Sequence, residues 1–319
     1  MLEICGKIVG PGEKLKCELG PEGYPMPATL ICGSRPGKTL VVTAQIHSGE
    51  YAGTPAVIRL ARETDPGKLC GNLILFHLVN VTGFFEGIDA YIPEDHGNLN
   101  GCYPGGEESV SGRIAAFFVR EILPHADALL DLHGGGMNET LAPCLFFPGK
   151  DRAVREASLA MAAFTDIPDC IVSHSVLGEV GYAGNVMGIP SLLLERGYGG
   201  LNRKEWADAY FWDLRRILIG LGMTEGEEDP VCAKRIYDHA VYLEAEENGL
   251  WYPEVETGRH LMPGDLLGRT EDLWGSPLRE YRATAAGTVQ YYRSAMNAVK
   301  GHNLVTYVLD SCNGDGLEY

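Results

Sequence analysis

Between residues 39 and 221 short apolar runs alternate with stretches of mixed polarity, and this rhythm sets the predicted elements. The run T-L-V-V-T-A-Q-I (39–46) is β-branched and apolar without alternation, the pattern of a strand buried on both faces. A helix is predicted over 54–62, with Pro55 suited to its first turn. N-L-I-L-F-H-L-V-N (72–80) predicts a second buried strand. A helix over 111–122 then leads into the strand A-L-L-D-L-H (128–133). Further strands are predicted at 142–148, 170–175 and 190–195, with helices near 151–164 and 204–221. Strands alternating with helices predict an α/β fold, a mixed and mostly parallel central sheet flanked by helices.

Other stretches break the rhythm. The first 30 residues, rich in Gly and Pro, predict a peripheral hairpin or two. Residues 81–108 are dense in Gly, Pro, Asn and Asp and predict a long loop, a feature that in compact domains is usually functional. The texture changes near residue 223, where T-E-G-E-E-D-P (224–230) has the composition of a polar linker. Beyond it, frequent turn dipeptides among aromatic and β-branched residues predict a small β-rich domain. The expected division is therefore 1–223, carrying the α/β sheet and an N-terminal hairpin segment, and 230–319.

Composition narrows the function classes. Hydrophobic residues at 45% and charged residues at 22% are ordinary globular usage, which sets aside disorder, collagen and coiled coil. A formal net charge of −17 repels phosphate backbones and anionic lipid, so neither nucleic acid nor a membrane is expected as a partner. No apolar run reaches bilayer-spanning length. Nine cysteines without a C-x-x-C pair, and no secretory apolar region near Met1, predict reduced, mostly buried thiols in a cytoplasmic protein.

Three local patterns could carry chemistry. His47-Ser48-Gly49-Glu50 follows the first buried strand and offers one nitrogen and one carboxylate oxygen, a donor pair that suits Zn²⁺. Gly49 would allow unusual backbone angles between them. Alone, H-x-x-E fits a solvated turn equally well. In Asp131-Leu132-His133-Gly134-Gly135-Gly136 the strand places Asp131 and His133 on one face, where Asp131 could orient a metal-binding histidine. The three glycines would leave open space beside His133 for a metal-bound water. A core histidine beside a glycine-rich turn is the alternative. Glu195 ends an apolar strand, where a carboxylate is expensive to bury unless partnered; it suits a general base, or a surface pair with Arg196. All three patterns fall at the carboxyl ends of predicted strands, the edge at which open α/β sheets bind ligands.

In this order, with Asn80 after a strand and N-L-N-x-x-Y-P-G at 98–105, the motifs resemble the succinylglutamate desuccinylase/aspartoacylase family, a branch of the zinc carboxypeptidase-like fold. The resemblance spans roughly residues 30 to 319 and includes the β-rich C-terminal part, whose segment 249–268 is similar to a lipoyl- or biotinyl-like sandwich without a lysine to carry a prosthetic group. It implies one Zn²⁺ per chain held by His47, Glu50 and His133. It also implies Glu195 as the catalytic carboxylate; Asn100 could contact substrate, although a loop-stabilising hydrogen bond is the commoner role of such a side chain. The implied activity is hydrolysis of the amide bond of a small N-acylated amino acid or related molecule.

One departure stands out. Where the family commonly has an arginine that grips a substrate carboxylate, this chain has Gly101. Glycine cannot replace a guanidinium clamp, so either another cation, Arg196 or Arg113, binds the substrate, or the substrate lacks a carboxylate there. Carboxypeptidase-type peptidase activity, a non-catalytic ligand-binding role and homo-oligomerisation stay open at this level.

Overall fold

The computed structural model describes residues 1–226 and 230–310. Part of the expected linker, 227–229, and the C-terminal 311–319 lie outside the described residues.

A nine-stranded mixed sheet organises the larger part of the chain. Across the sheet the strands run Arg235–Tyr237, Asp169–Ser173, Cys144–Pro148, Ser191–Glu195, Ala128–His133, Arg35–Ala44, Cys70–Phe76, Met26–Cys32 and Glu13–Leu19. The four from Ser191–Glu195 to Cys70–Phe76 are mutually parallel, and antiparallel neighbours flank them on both sides. Their apolar runs are buried on both faces because helices cover both. On one face Gly53–Glu63, Arg152–Ala162 and Lys204–Gly220 pack over Leu40, Val42, Leu130, Leu192 and Leu194. On the other, the helix Val110–Phe117 and its π-helical continuation Phe118–Ile122 cover Val41, Ile74, Phe76 and Leu129.

Two local expectations differ from the structure. The hairpin Glu13–Leu19 with Met26–Cys32 is no peripheral appendage but the edge of the central sheet, through pairing with Cys70–Phe76. The stretch 81–108 opens with a helix, Val81–Glu86, capped by Asn80, whose Oδ1 accepts from Gly83 N at 3.0 Å. In the sequence Asn80 stands out only as the residue after a strand, and the glycine in the first turn masks the helix that follows it.

The C-terminal part is two antiparallel sheets around Trp251, Leu261, Tyr281, Val289 and Tyr307. Each part lends the other a strand. Arg235–Tyr237 joins the edge of the large sheet, while Glu139–Leu141, shortly after His133, pairs with Gly287–Arg293. The eight described cysteines are unpaired; Cys32, Cys144 and Cys170 are buried, Cys17, Cys70, Cys102 and Cys232 half-buried, and Cys5 exposed, so most are less buried than expected. Among the described residues no helix is long and apolar enough to cross a membrane.

Candidate metal centre and active site

Parallel pairing brings the three sequence patterns to one sheet edge. Arg35–Ala44 pairs with Ala128–His133, which pairs with Ser191–Glu195 so that Glu195 is the register partner of His133. Partners in register project from the same face. The strand Arg35–Ala44 is followed by Gln45 in a left-handed conformation (φ 55°), which turns the chain so that His47 and Glu50 return over the strand end. Gln45 holds this turn by donating from Nε2 to Ser48 O at 2.8 Å.

His47, Glu50 and His133 each present one donor atom, and these atoms lie within 4.8 Å of one another. Glu50 sits between the rings: Oε1 is 2.8 Å from His47 Nδ1 and Oε2 is 3.0 Å from His133 Nδ1. The other nitrogen of each ring faces an acceptor. His133 Nε2 is 2.8 Å from Asp131 Oδ2, and His47 Nε2 is 3.0 Å from Asn98 Oδ1. With a cation bound, those acceptors would take the Nε2–H and turn both Nδ1 lone pairs toward it, as metal-binding histidines require; as the cluster stands, each Nδ1 is at hydrogen-bond distance from Glu50. Gly134 N donates to Glu50 Oε2 at 3.0 Å, and the Tyr210 hydroxyl lies 2.7 Å from the carbonyl oxygens of both His133 and Leu194, tying the two strand ends together.

The cluster is electrostatically tight. Burial works against ionising Glu50, yet His47 and His133 outweigh it and hold the carboxyl at about 2. Burial likewise opposes protonation of His133, but Asp131 and Glu50 raise its pKa well above the usual histidine range. For Glu195, burial and then the charge of Glu50 push the carboxyl well above the ordinary glutamate value. Its Oε2 is buried with no hydrogen-bond partner. Two imidazoles and one carboxylate are a donor set found in catalytic zinc sites. The acceptor behind each ring and the unpartnered Glu195 oxygen fit the same assignment, so the residues present could hold a divalent cation.

The glycines act by close approach rather than by opening space. A Cβ on Gly49 or Gly136 would stand 2.5 or 2.6 Å from Asp89 Oδ1, and one on Gly134 would stand 2.6 Å from Arg196 O. Gly49 is not in the left-handed region. What these positions need is the missing side chain, because the Asp89 carboxylate is wedged between the two ligand-bearing loops and accepts from Met137 N at 2.8 Å.

The expected substrate contacts are placed differently. Asn100 Oδ1 accepts from Glu179 N at 3.3 Å, a loop-to-helix contact. The Arg196 guanidinium is nearly buried and paired with Asp166 and, at 2.8 Å, Asp213. Arg113, half-buried, has no ion pair among the described residues. Asn98, the partner of His47, was not singled out among the candidates; it stood in the quoted N-L-N run, two residues from Asn100, and its exposed position gave no further signal.

An α/β sheet carrying a His-Glu-His cluster and an unpaired carboxylate at its carboxyl edge is an arrangement that suits a hydrolase and could hold a metal. The family follows from comparison with known sequences. The chain matches the Succinylglutamate desuccinylase/Aspartoacylase catalytic domain over residues 36–209 and belongs to that family of deacylases. A curated relative, the N-alpha-acetyl-L-2,4-diaminobutyric acid deacetylase of Halomonas elongata, is 28% identical over 274 residues, covering 83% of this chain and 80% of its own. Among solved structures, the product-bound ectoine utilization protein EutE (DoeB) from Ruegeria pomeroyi superposes with a TM-score of 0.80 at 27% identity, covering 93% of this chain and 94% of that one. A succinylglutamate desuccinylase from Silicibacter sp. TM1040 gives 0.79 at 26% identity, with 93% and 94% covered.

Proposed function

We propose that this protein is a zinc-dependent amidohydrolase that removes the acyl group from a small N-acylated amino acid or a related molecule. The observation that carries this reading is the convergence of the His47, Glu50 and His133 donor atoms within 4.8 Å, with Glu195 the register partner of His133. A zinc ion held there supplies a Lewis acid for the scissile carbonyl, a more acidic water, and the positive charge that brings the Glu195 carboxyl down to a range in which it can accept a proton.

Glu195 takes the proton of the attacking water as the carbon–oxygen bond forms. It then delivers that proton to the amide nitrogen as the carbon–nitrogen bond breaks, giving a carboxylic acid and an amine. Its unpartnered Oε2 leaves one oxygen free for this exchange. Asp131 and Asn98 keep the rings of His133 and His47 oriented throughout.

Neither position 101 nor Arg196 supplies a guanidinium for a substrate carboxylate. Gly101 stands where a Cβ would meet nothing within 4 Å, and Arg196 is already paired. The curated relative is named for a diamino acid substrate, which fits the lack of a free guanidinium at these two positions.

The direct test is elemental analysis of the purified protein beside His133→Ala, followed by a screen of N-acetyl diamino acids, N-acetyl-aspartate, N-succinyl-glutamate and blocked peptides. About one zinc per chain, lost in the variant, with turnover of an N-acyl amino acid, is the expected result. A protein that takes up no zinc after incubation with the ion would refute the mechanism, and cleavage of C-terminal peptide bonds alone would reassign it as a peptidase.

A further inference from the structure

Behind the ligand cluster lies a layer of fully buried polar side chains, of which the reaction above uses only Asp131. Thr43 stands on the strand Arg35–Ala44 as the register partner of Asp131. Its hydroxyl lies 2.7 Å from Glu179 Oε2 and 3.0 Å from Asp131 Oδ1. All three side chains are shut off from solvent.

A hydroxyl has one proton to donate, so it cannot serve both carboxyls. If both were ionised, two negative charges would share a single donor without water. Glu179 Oε1, already buried and without a partner, would then carry charge with nothing to solvate it. Protonating one of the two is the less costly arrangement. Asp131 also accepts from His133 Nε2, whereas Glu179 has no donor other than Thr43. The proton therefore belongs on Glu179.

We propose that Glu179 is a positioning residue held as the neutral carboxylic acid, acting on His133 through Thr43 and Asp131. Its Oε2–H donates to Thr43 Oγ1, Thr43 Oγ1–H donates to Asp131 Oδ1, and Asp131 Oδ2 accepts the Nε2–H of His133. The chain holds the Nε2–H of His133 on Asp131, so that Nδ1 is the nitrogen left for a cation. Burial and then the Asp131 charge raise the Glu179 pKa well above the ordinary value, against smaller opposing effects of the Thr43 hydrogen bond and of His133. The nearby Tyr103 hydroxyl is also buried without a partner.

The same chain reaches the loop. Glu179 N–H donates to Asn100 Oδ1, while Asn98 Oδ1 accepts from His47 Nε2. Residues 98 and 100 thus back the two histidines from two directions, one directly and one through Glu179.

The inference concerns zinc binding and so rests on the metal-centre reading, but its test has an arm that does not. Infrared difference spectroscopy between the full-length protein and Glu179→Gln should show the carbonyl stretch of a protonated, buried carboxyl in the former and its loss in the latter. In chelator competition, Glu179→Gln should stay within about threefold of the parent zinc affinity, because the amide still donates to Thr43, while Glu179→Ala should bind about tenfold more weakly. Thr43→Val tests the same link if Glu179→Ala does not fold. A protonated-carboxyl absorption left undiminished by Glu179→Gln, or absent from the parent, overturns the proposal. So does unchanged zinc affinity in Glu179→Ala and Thr43→Val. Failure of the parent to bind zinc refutes the hydrolase reading instead, and the infrared band alone then decides whether Glu179 is the neutral acid.

Discussion

Glu195 and Arg196 are consecutive residues at one strand end, and they face two clusters of charge built on opposite plans. Arg196 is nearly buried, and its guanidinium pairs with Asp213, which also accepts from Arg216 Nη2 at 2.5 Å and from Asp166 N at 3.1 Å. Opposite charges there cancel within the chain. Glu195 instead keeps a buried oxygen without a partner, close to other acidic groups. A cluster satisfied by its own neighbours holds the fold; one that leaves an atom unpaired has room for a reactant. The cavity of about 460 Å³ beside Arg196, Arg235 and Asp169 belongs to the first kind, since Arg235 is paired to Asp169 at 2.6 Å.

The sharpest way to break this contrast is to alter one residue of each cluster. Glu195→Gln should lower kcat by about 10²- to 10⁴-fold while zinc content and thermal stability stay near the parent values. A variant that turns over normally would remove Glu195 from the reaction. Asp213→Ala should do the reverse, taking from Arg196 its buried partner, leaving it only the half-exposed Asp166, and removing the Arg216 pair, at a cost of about 3–5 kcal/mol of stability, read by denaturant unfolding, with kcat of the folded fraction little changed. Should the stability be unaffected, the ion-pair network is not structural.

Smaller effects sharpen the description of the metal centre. Asn98→Ala frees His47 Nε2 from its acceptor and should weaken zinc binding by about tenfold in a chelator titration. Asp131→Asn is expected to weaken it at least as much, because His133 is the more deeply buried ring. The smallest effect is on pH dependence. The carboxylates raise the pKa of His47 and His133, so protons compete with the cation for the same nitrogens. Because both are raised, zinc affinity should already fall as pH drops toward the ordinary histidine range from above, and fall further within that range. An affinity flat across that range would exclude the histidines as ligands.

Much of this was legible in the chain itself. Strands at 39–46, 128–133 and 190–195 could be read because both-face burial imposes unbroken apolar runs, and each candidate ligand follows such a run. The pairing of Asp131 with His133 was visible from strand periodicity alone, because residues i and i+2 share a face. Arg196 was misplaced among the substrate contacts for a physical reason: its partners, Asp166 and Asp213, lie 30 and 17 residues away, on other elements. Thr43 and Glu179 were invisible for the same reason, being 136 residues apart. The glycines at 49 and 134–136 were read as freedom or space, although it is the closeness of Asp89, Arg196 and Tyr198 that demands them.

The sequence by itself determined the local matter: which runs become strands, which residues stand at their ends, and which donors are available there. Such features follow from the chemistry and spacing of near neighbours. Only the tertiary structure decided which charges are neutralised and which are left over, because that depends on partners brought together by sheet order and helix packing. Chemistry at this site rests on that remainder, the oxygen of Glu195 and the aligned nitrogens of His47 and His133.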